Sequence, residues 1–310
     1  MTESLPSETG QPSGERTASK FTNRLAVASG IVALFASLSA ADAYGFAGMP
    51  AAWWLLPVAI GLAVAATDEL IRLFAKRGLR LPGMLLRPGV AVVVLSGIVR
   101  PSEANDWLAA SLAMPAITHV VFLLLILAVA VIDYRPDRHA LQRLASAFFV
   151  ASYVGMFLSF MVALRFVDQP ESNRPSMLPL ASLVAVVKGG DIMAYIVGVL
   201  VGRSKMAPLL SPGKTWEGTI ASLVSSTLVA WLLLDLIAPE AAGLPYGGWL
   251  LYGPLVGLAG IVGDLGESLV KRELQAKDSG GLLGGLGGVL DLIDSMLVAA
   301  PVAWLLWALG

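Results

Sequence analysis

Residues 107–133 read WLAASLAMPAITHVVFLLLILAVAVID, with no charged side chain before Asp133. The stretch exceeds the roughly 20 residues an α-helix needs to cross about 30 Å of hydrocarbon. A water-soluble domain could hold such a helix only by wrapping it in polar chain, and the rest of this chain is no more polar. Of 310 residues, 56% are hydrophobic and 14% charged, where a soluble domain carries about 25% charged residues. Mean hydropathy is +0.76. Soluble globular, collagen-like and disordered classes are excluded, which leaves a polytopic membrane protein. Cysteine is absent, so disulfide frameworks, thiolate nucleophiles and zinc–thiolate sites are excluded as well.

Eight more apolar segments flank this one, at 25–45, 51–69, 83–99, 144–166, 177–202, 219–238, 246–266 and 289–309. Segment 83–99 is the weakest, because Arg87 and Pro88 stand near its start; it reads as short or re-entrant. Residues 1–24 are a polar, disordered tail rather than a signal peptide. Basic residues set the orientation. Arg16, Lys20 and Arg24 lie in the tail, and Arg72, Lys76, Arg77 and Arg80 follow the second span. Arg135, Arg138 and Arg143 follow the fourth, Arg203, Lys205 and Lys214 the sixth, and Lys271, Arg272 and Lys277 the eighth. Sixteen of the 21 Lys and Arg residues thus fall on one side. The expectation is an all-α protein of about nine transmembrane helices, N-terminus cytoplasmic and C-terminus outside. An N-terminal membrane region, 25–176, would hold about five helices. A C-terminal region, 177–310, would hold about four, with cytoplasmic loops 203–218 and 267–290.

Four constellations in the C-terminal region exceed what anchoring requires. Lys188, Asp191 and Tyr195, with Gly198, recur at i, i+3, i+7 on one helix face. A lysine and an aspartate inside hydrocarbon are costly, so they form either a structural ion pair or the polar wall of a site. In Ser211-Pro-Gly-Lys214-Thr215-Trp-Glu217-Gly218, Pro212-Gly213 suits a tight turn and Thr215 the start of a helix. Cations and exposed N–H groups there suit phosphate. Asp264, Ser268 and Lys271 fall on one helical stripe, with Glu267 and Arg272 beside them. Finally Lys277-Asp278-Ser-Gly-Gly and a second glycine run precede Asp291, Asp294 and Ser295, which share a face at the start of the last span. Asp264 and Asp291 can each give Mg²⁺ a hard oxygen ligand, with phosphate oxygens completing its shell. No nucleophile–base pair is present, and His119 and His139 lie outside these groups. Phosphoryl or nucleotidyl transfer between a cytosolic nucleotide and a lipid phosphate needs mainly positioning and charge neutralisation, which these residues offer.

Ser268-Leu-Val-Lys271-Arg272, then Lys277-Asp278-Ser-Gly, then Gly287-Gly-Val-Leu-Asp291-Leu-Ile-Asp294-Ser295 resemble the C-terminal signature of phosphatidate cytidylyltransferases (CDP-diacylglycerol synthases). Asp191-Ile-Met-Ala-Tyr195 and Ser211-Pro-Gly-Lys214-Thr-Trp-Glu217-Gly218 resemble two further segments of that family in the same order, so the likeness covers about 188–300. Leu286 and Leu292 stand where the family usually has histidine and arginine, and Gly284 where proline is frequent. The resemblance implies a multi-pass enzyme of the inner (cytoplasmic) cell membrane, its active site facing the cytoplasm. It would join CTP to phosphatidate, releasing pyrophosphate and making CDP-diacylglycerol.

By the same resemblance Asp264 and Asp291 would hold Mg²⁺, with K⁺ a candidate second cation. Lys214, Lys271, Arg272 and Lys277 would bind the triphosphate or the lipid phosphate, and Ser211, Ser268 and Ser295 would add hydrogen bonds. Asp191, Tyr195, Thr215, Glu217, Asp278 and Asp294 would complete the substrate site. A homodimer is implied, and nucleic acid is not an expected partner. Two other readings stand beside this one. A CTP-dependent polyprenol or lipid kinase of related architecture would release CDP, and an ion-coupled transporter would use Lys188, Asp191, Asp264 and Asp291 without turning over CTP.

Overall fold

A computed structural model describes residues 37–43, 52–99, 107–136, 139–167, 177–237, 244–276 and 287–310. Lys277 and Asp278, the tail 1–24 and Leu286 lie outside the described residues. After a helical segment at 37–43 come α1 (Leu56–Lys76) and α2 (Gly83–Leu95, extended by a 3₁₀ turn through Ile98). They are followed by α3 (Trp107–Ile132) and α4 (Ala140–Arg165, with a π turn at Ala151–Met156). Next are α5 (Leu178–Val201), β1 (Lys205–Ala207), β2 (Ser211–Thr215) and α6 (Trp216–Ile237, its last turns π). The chain closes with α7 (Gly248–Glu273) and α8 (Val289–Leu309). It is an all-α polytopic membrane protein, its helices interrupted by one short antiparallel ribbon, β1–β2.

Among the described residues, six helices are long and apolar enough to cross a membrane: α3 from Leu112, and α4 to α8. Three of the nine expected spans, 25–45, 51–69 and 83–99, are not among these six. Helix α1 runs on to Lys76, past the expected end at 69, and so carries Asp68, Glu69, Arg72 and Lys76 within it. Helix α2 is apolar but short. The first expected span is described only at 37–43. Arg87, which made α2 look weak, is answered by Asp68 of α1, with Nε donating to Oδ1 at 2.6 Å.

Helices α5, α6, α7 and α8 pack in series, and α8 also packs on the second half of α4. Small residues make this possible, as they do in membranes generally. A Cβ on Gly263 of α7 would lie 2.6 Å from the Asp294 carbonyl oxygen of α8, so α7 and α8 touch backbone to backbone. Hydroxyls add interhelical bonds: Ser226 Oγ donates to Val186 O (3.1 Å) and Ser225 Oγ to Gly189 O (3.2 Å), joining α6 to α5. Toward the other end Trp307 Nε1 donates to Ser182 Oγ at 3.2 Å, and that hydroxyl lies 2.8 Å from Tyr252 Oη. A buried ion pair anchors 37–43: Arg165 Nε donates to Asp42 Oδ2 at 2.5 Å, and Leu55 N donates to Asp42 Oδ1 at 3.0 Å.

The basic connections gather at one end of the bundle. Arg77, just past α1, donates to Glu273 O at the end of α7 (2.6 Å), and Arg272 Nε donates to Leu210 O in the ribbon (3.1 Å). Arg80, Asp133 and Arg143 line one cleft of about 210 Å³.

Candidate active site

At that end lies a cavity of about 660 Å³, within the range of small-molecule sites, about 300–1,000 Å³. Its walls come from α5, the ribbon, α6, α7 and α8. The ribbon forms the rim. Lys205 pairs with Thr215, and Trp216 N donates to Ser204 O at 2.9 Å. The expected turn at Pro212-Gly213 is not there; those residues are strand, and the reversal occurs before Ser211. The paired β1 gives the Ser-Pro-Gly stretch an extended partner, which local turn preference could not reveal. Thr215 does start the helix: its Oγ accepts from Gly218 N at 3.2 Å, capping α6.

Helix α5 presents Lys188, Asp191, Tyr195 and Gly198 to the cavity, as the i, i+3, i+7 pattern requires. Lys188 Nζ lies 3.2 Å from Asp191 Oδ2, so the two are an ion pair as well as part of the cavity lining. From the ribbon, Ser211, Lys214 and Thr215 line the space. Lys214 Nζ meets Asp264 Oδ2 of α7 at 2.8 Å. Two turns on, Lys271 Nζ pairs with Glu267 Oε2 at 2.7 Å and with Asp291 Oδ1 of α8. The second Asp291 oxygen accepts from Gly288 N, the N-cap residue of α8, at 2.6 Å. Gly287 has φ +98°, and a Cβ there would sit 2.6 Å from the Asp291 carboxylate. Asp294 Oδ1 accepts from Ser295 N (2.5 Å) and Ser295 Oγ (3.1 Å). Asp264 acts on Asp294 electrostatically.

Three expected site residues do not line the cavity. Ser268 does not line the cavity although its spacing sets it beside Asp264 and Lys271; Glu267, on the other flank of the same helix face, lines it instead. Glu217 turns away to accept Ser204 N (3.1 Å), fastening the ribbon to α6. Arg272 is engaged with Leu210 O. Lys205, Thr219 and Ser222 line the cavity without having been singled out as ligands; alternation along β1 and α6's helical period were the available signals. Leu292 packs against the hydrophobic core rather than the cavity. His119 is a packed polar residue, with Nε2 3.1 Å from Ser152 Oγ.

The lining charges bear on a metal. Asp191, Asp264, Glu267, Asp291 and Asp294 face Lys188, Lys205, Lys214 and Lys271, five acids against four bases. A triphosphate entering this space meets a formal excess of negative charge, which a cation would offset. Glu267 Oε1 is buried without a hydrogen-bond partner among the described residues. No three His, Cys, Asp or Glu side chains among them converge as a ready-made cage. Mg²⁺ takes one or two carboxylates and fills its shell with phosphate and water, and Asp264 and Asp291 are the carboxylates that could hold it here.

The chain is 38% identical over 169 residues to a phosphatidate cytidylyltransferase of Mycobacterium leprae, covering 54% of this chain and 51% of that protein. It is 44% identical over 132 residues to the Pseudomonas aeruginosa protein of the same name, covering 42% and 48%. A Brucella abortus protein with that name is 41% identical over 128 residues, covering 41% and 46%. Each match thus spans about half the relative's length. The model of the cytidylyltransferase family matches residues 23–309, nearly the whole chain, and the chain belongs to that family.

Proposed function

We infer that this protein is a phosphatidate cytidylyltransferase, converting CTP and phosphatidate to CDP-diacylglycerol and pyrophosphate. The observation that carries the reading is the pair of lysine–carboxylate contacts, Lys214–Asp264 and Lys271–Asp291, facing one cavity at the basic end of the bundle. The relatives named above supply the substrates. An oxygen of the lipid phosphate attacks the α-phosphorus of CTP; the bond from that phosphorus to the bridging oxygen breaks, and pyrophosphate leaves with the electron pair. Lys214 and Lys271 balance phosphate charge as it shifts toward the leaving group. Asp264 and Asp291 would hold Mg²⁺, and K⁺ is a candidate second cation. When bound, the metal supplies charge neutralisation that makes pyrophosphate a better leaving group. Asp191, Asp294, Ser211, Thr215 and Ser295 hydrogen-bond around the nucleotide, and Tyr195, 73% exposed on α5, meets the lipid. Lys277 and Asp278, which lie outside the described residues, are assigned to substrate binding by the family resemblance alone.

The same reading gives nine spans in the inner membrane, with the N-terminus and the basic, cavity-bearing end in the cytoplasm, and a homodimer as the assembly. The test is reconstituted protein with CTP, Mg²⁺ and phosphatidate. Release of pyrophosphate with CDP-diacylglycerol is expected. Release of CDP would mark a lipid kinase, and solute movement without CTP turnover a transporter.

A further inference from the structure

Helix α8 begins at Val289, and the first N–H groups of a helix have no acceptor within it. Its N-cap is Gly288, which has no side chain to offer. The acceptor comes from far away in the chain. Glu69 of α1 receives Val289 N on Oε1 at 2.8 Å and Leu290 N on Oε2 at 2.9 Å. Glu69 is fully buried, and among the described residues no cation pairs with it. Its counter-charge is the positive end of the α8 dipole. Eight residues further on, Arg77 Nη2 donates to the carbonyl of Glu273, the last residue of α7. Helix α1 thus holds both ends of the 274–288 connection, an acid at the helix start and a base at the helix end. Asp291 is only the third residue of α8, so wherever Glu69 sets that first turn, Asp291 follows.

We propose that Glu69 is a positioning residue: it caps α8 and thereby sets Asp291 opposite Lys271, with Arg77 fixing the facing end of α7. The proposal rests on the functional reading above for its kinetic consequence and on geometry alone for the cap. Glu69→Gln keeps the shape, loses the charge and leaves one acceptor for two N–H groups.

Two measurements on the full-length protein test it. The first is amide hydrogen exchange without substrate. Glu69→Gln should speed exchange at Val289 and Leu290 by about tenfold or more while the middle of α8 keeps its protection; unchanged exchange at those two amides overturns the cap. The second is kinetic. Glu69→Gln should lower kcat by roughly 10–100-fold, as a slight displacement of a reacting group does. In an Asp291→Asn background the same change should alter the residual rate less than about twofold, because residues acting as a unit are not additive. A merely structural glutamate would give the same fold loss in both backgrounds, and that result overturns the positioning role. Should Glu69→Gln fail to fold, Glu69→Asp, with a shorter reach to the same amides, is measured in both assays under the same criteria. If the wild type does not turn over CTP with phosphatidate, the functional reading fails, and the exchange measurement still decides the cap.

Discussion

Lys271 of α7 is ion-paired to Asp291 of α8 across a seam where the two helices touch backbone to backbone. The same ammonium also holds Glu267 at 2.7 Å, so one cation stands between two partly or wholly buried acids. Lys271→Met keeps the stem and removes the charge. It leaves both carboxylates facing each other and the phosphates without a counter-charge. We expect kcat to fall by about 10²–10³-fold, the usual loss when an electrostatic contact to developing charge is removed. Steady-state kinetics of the purified variant checks this; a loss under tenfold would place Lys271 outside the reaction.

Asp264 meets Lys214 of the ribbon, 35% and 21% exposed respectively, so both groups reach the cavity. Chelation of divalent ions should abolish turnover, and added Mg²⁺ should restore it. Asp264→Asn should raise the Mg²⁺ concentration for half-maximal rate by about tenfold or more, since a bound carboxylate contributes charge that an amide cannot. An unchanged Mg²⁺ titration curve in a well-folded Asp264→Asn protein would remove this residue from the metal site.

Gly263 and Gly266 lie one turn apart on α7 and make opposite predictions. A Cβ at Gly263 would press on the Asp294 backbone, whereas one at Gly266 meets nothing within 4 Å. Gly263→Ala should cost about 1–3 kcal/mol through overpacking and lower the melting temperature in detergent. Gly266→Ala should stay within about 0.5 kcal/mol of wild type. Thermal denaturation of the two variants side by side is the measurement, and equal melting temperatures would contradict the close seam.

Arg165 and Asp42 form a pair whose side chains are 3% and 0% exposed. Arg165→Met strands the buried carboxylate, a loss of about 3–5 kcal/mol. The pair lies away from the cavity lining, so the KM for CTP of the protein that remains folded should match wild type. A changed KM with normal stability would reverse the assignment.

The membrane helices were legible because each satisfies a length and polarity condition locally, as at 107–133 and 289–309. The cavity face of α5 was legible for the same reason: Lys188, Asp191 and Tyr195 obey a helical period within two turns. On α7 two candidate stripes fitted the sequence, and the choice between Glu267 and Ser268 depended on where α8 lies. Glu69 was not legible at all. Its partners stand 220 and 221 positions away, beyond the reach of any local pattern. The ribbon was hidden too, since Ser-Pro-Gly-Lys has turn chemistry and only pairing with Lys205–Ala207 holds it extended.

The two inter-element pairs, Lys214–Asp264 and Lys271–Asp291, have a consequence for the order in which ligands bind. In the ligand-free protein each cationic side chain is already neutralised by the acid it would have to release. Phosphate alone must compete with a carboxylate for each lysine, and a metal ion alone must compete with a lysine for each carboxylate. A nucleotide arriving with its metal exchanges partners on both sides at once, phosphate to lysine and metal to carboxylate, and strands no charge. On the proposed function the site would work as an ion exchanger, and nucleotide and metal should each bind weakly alone and raise one another's affinity when they come together.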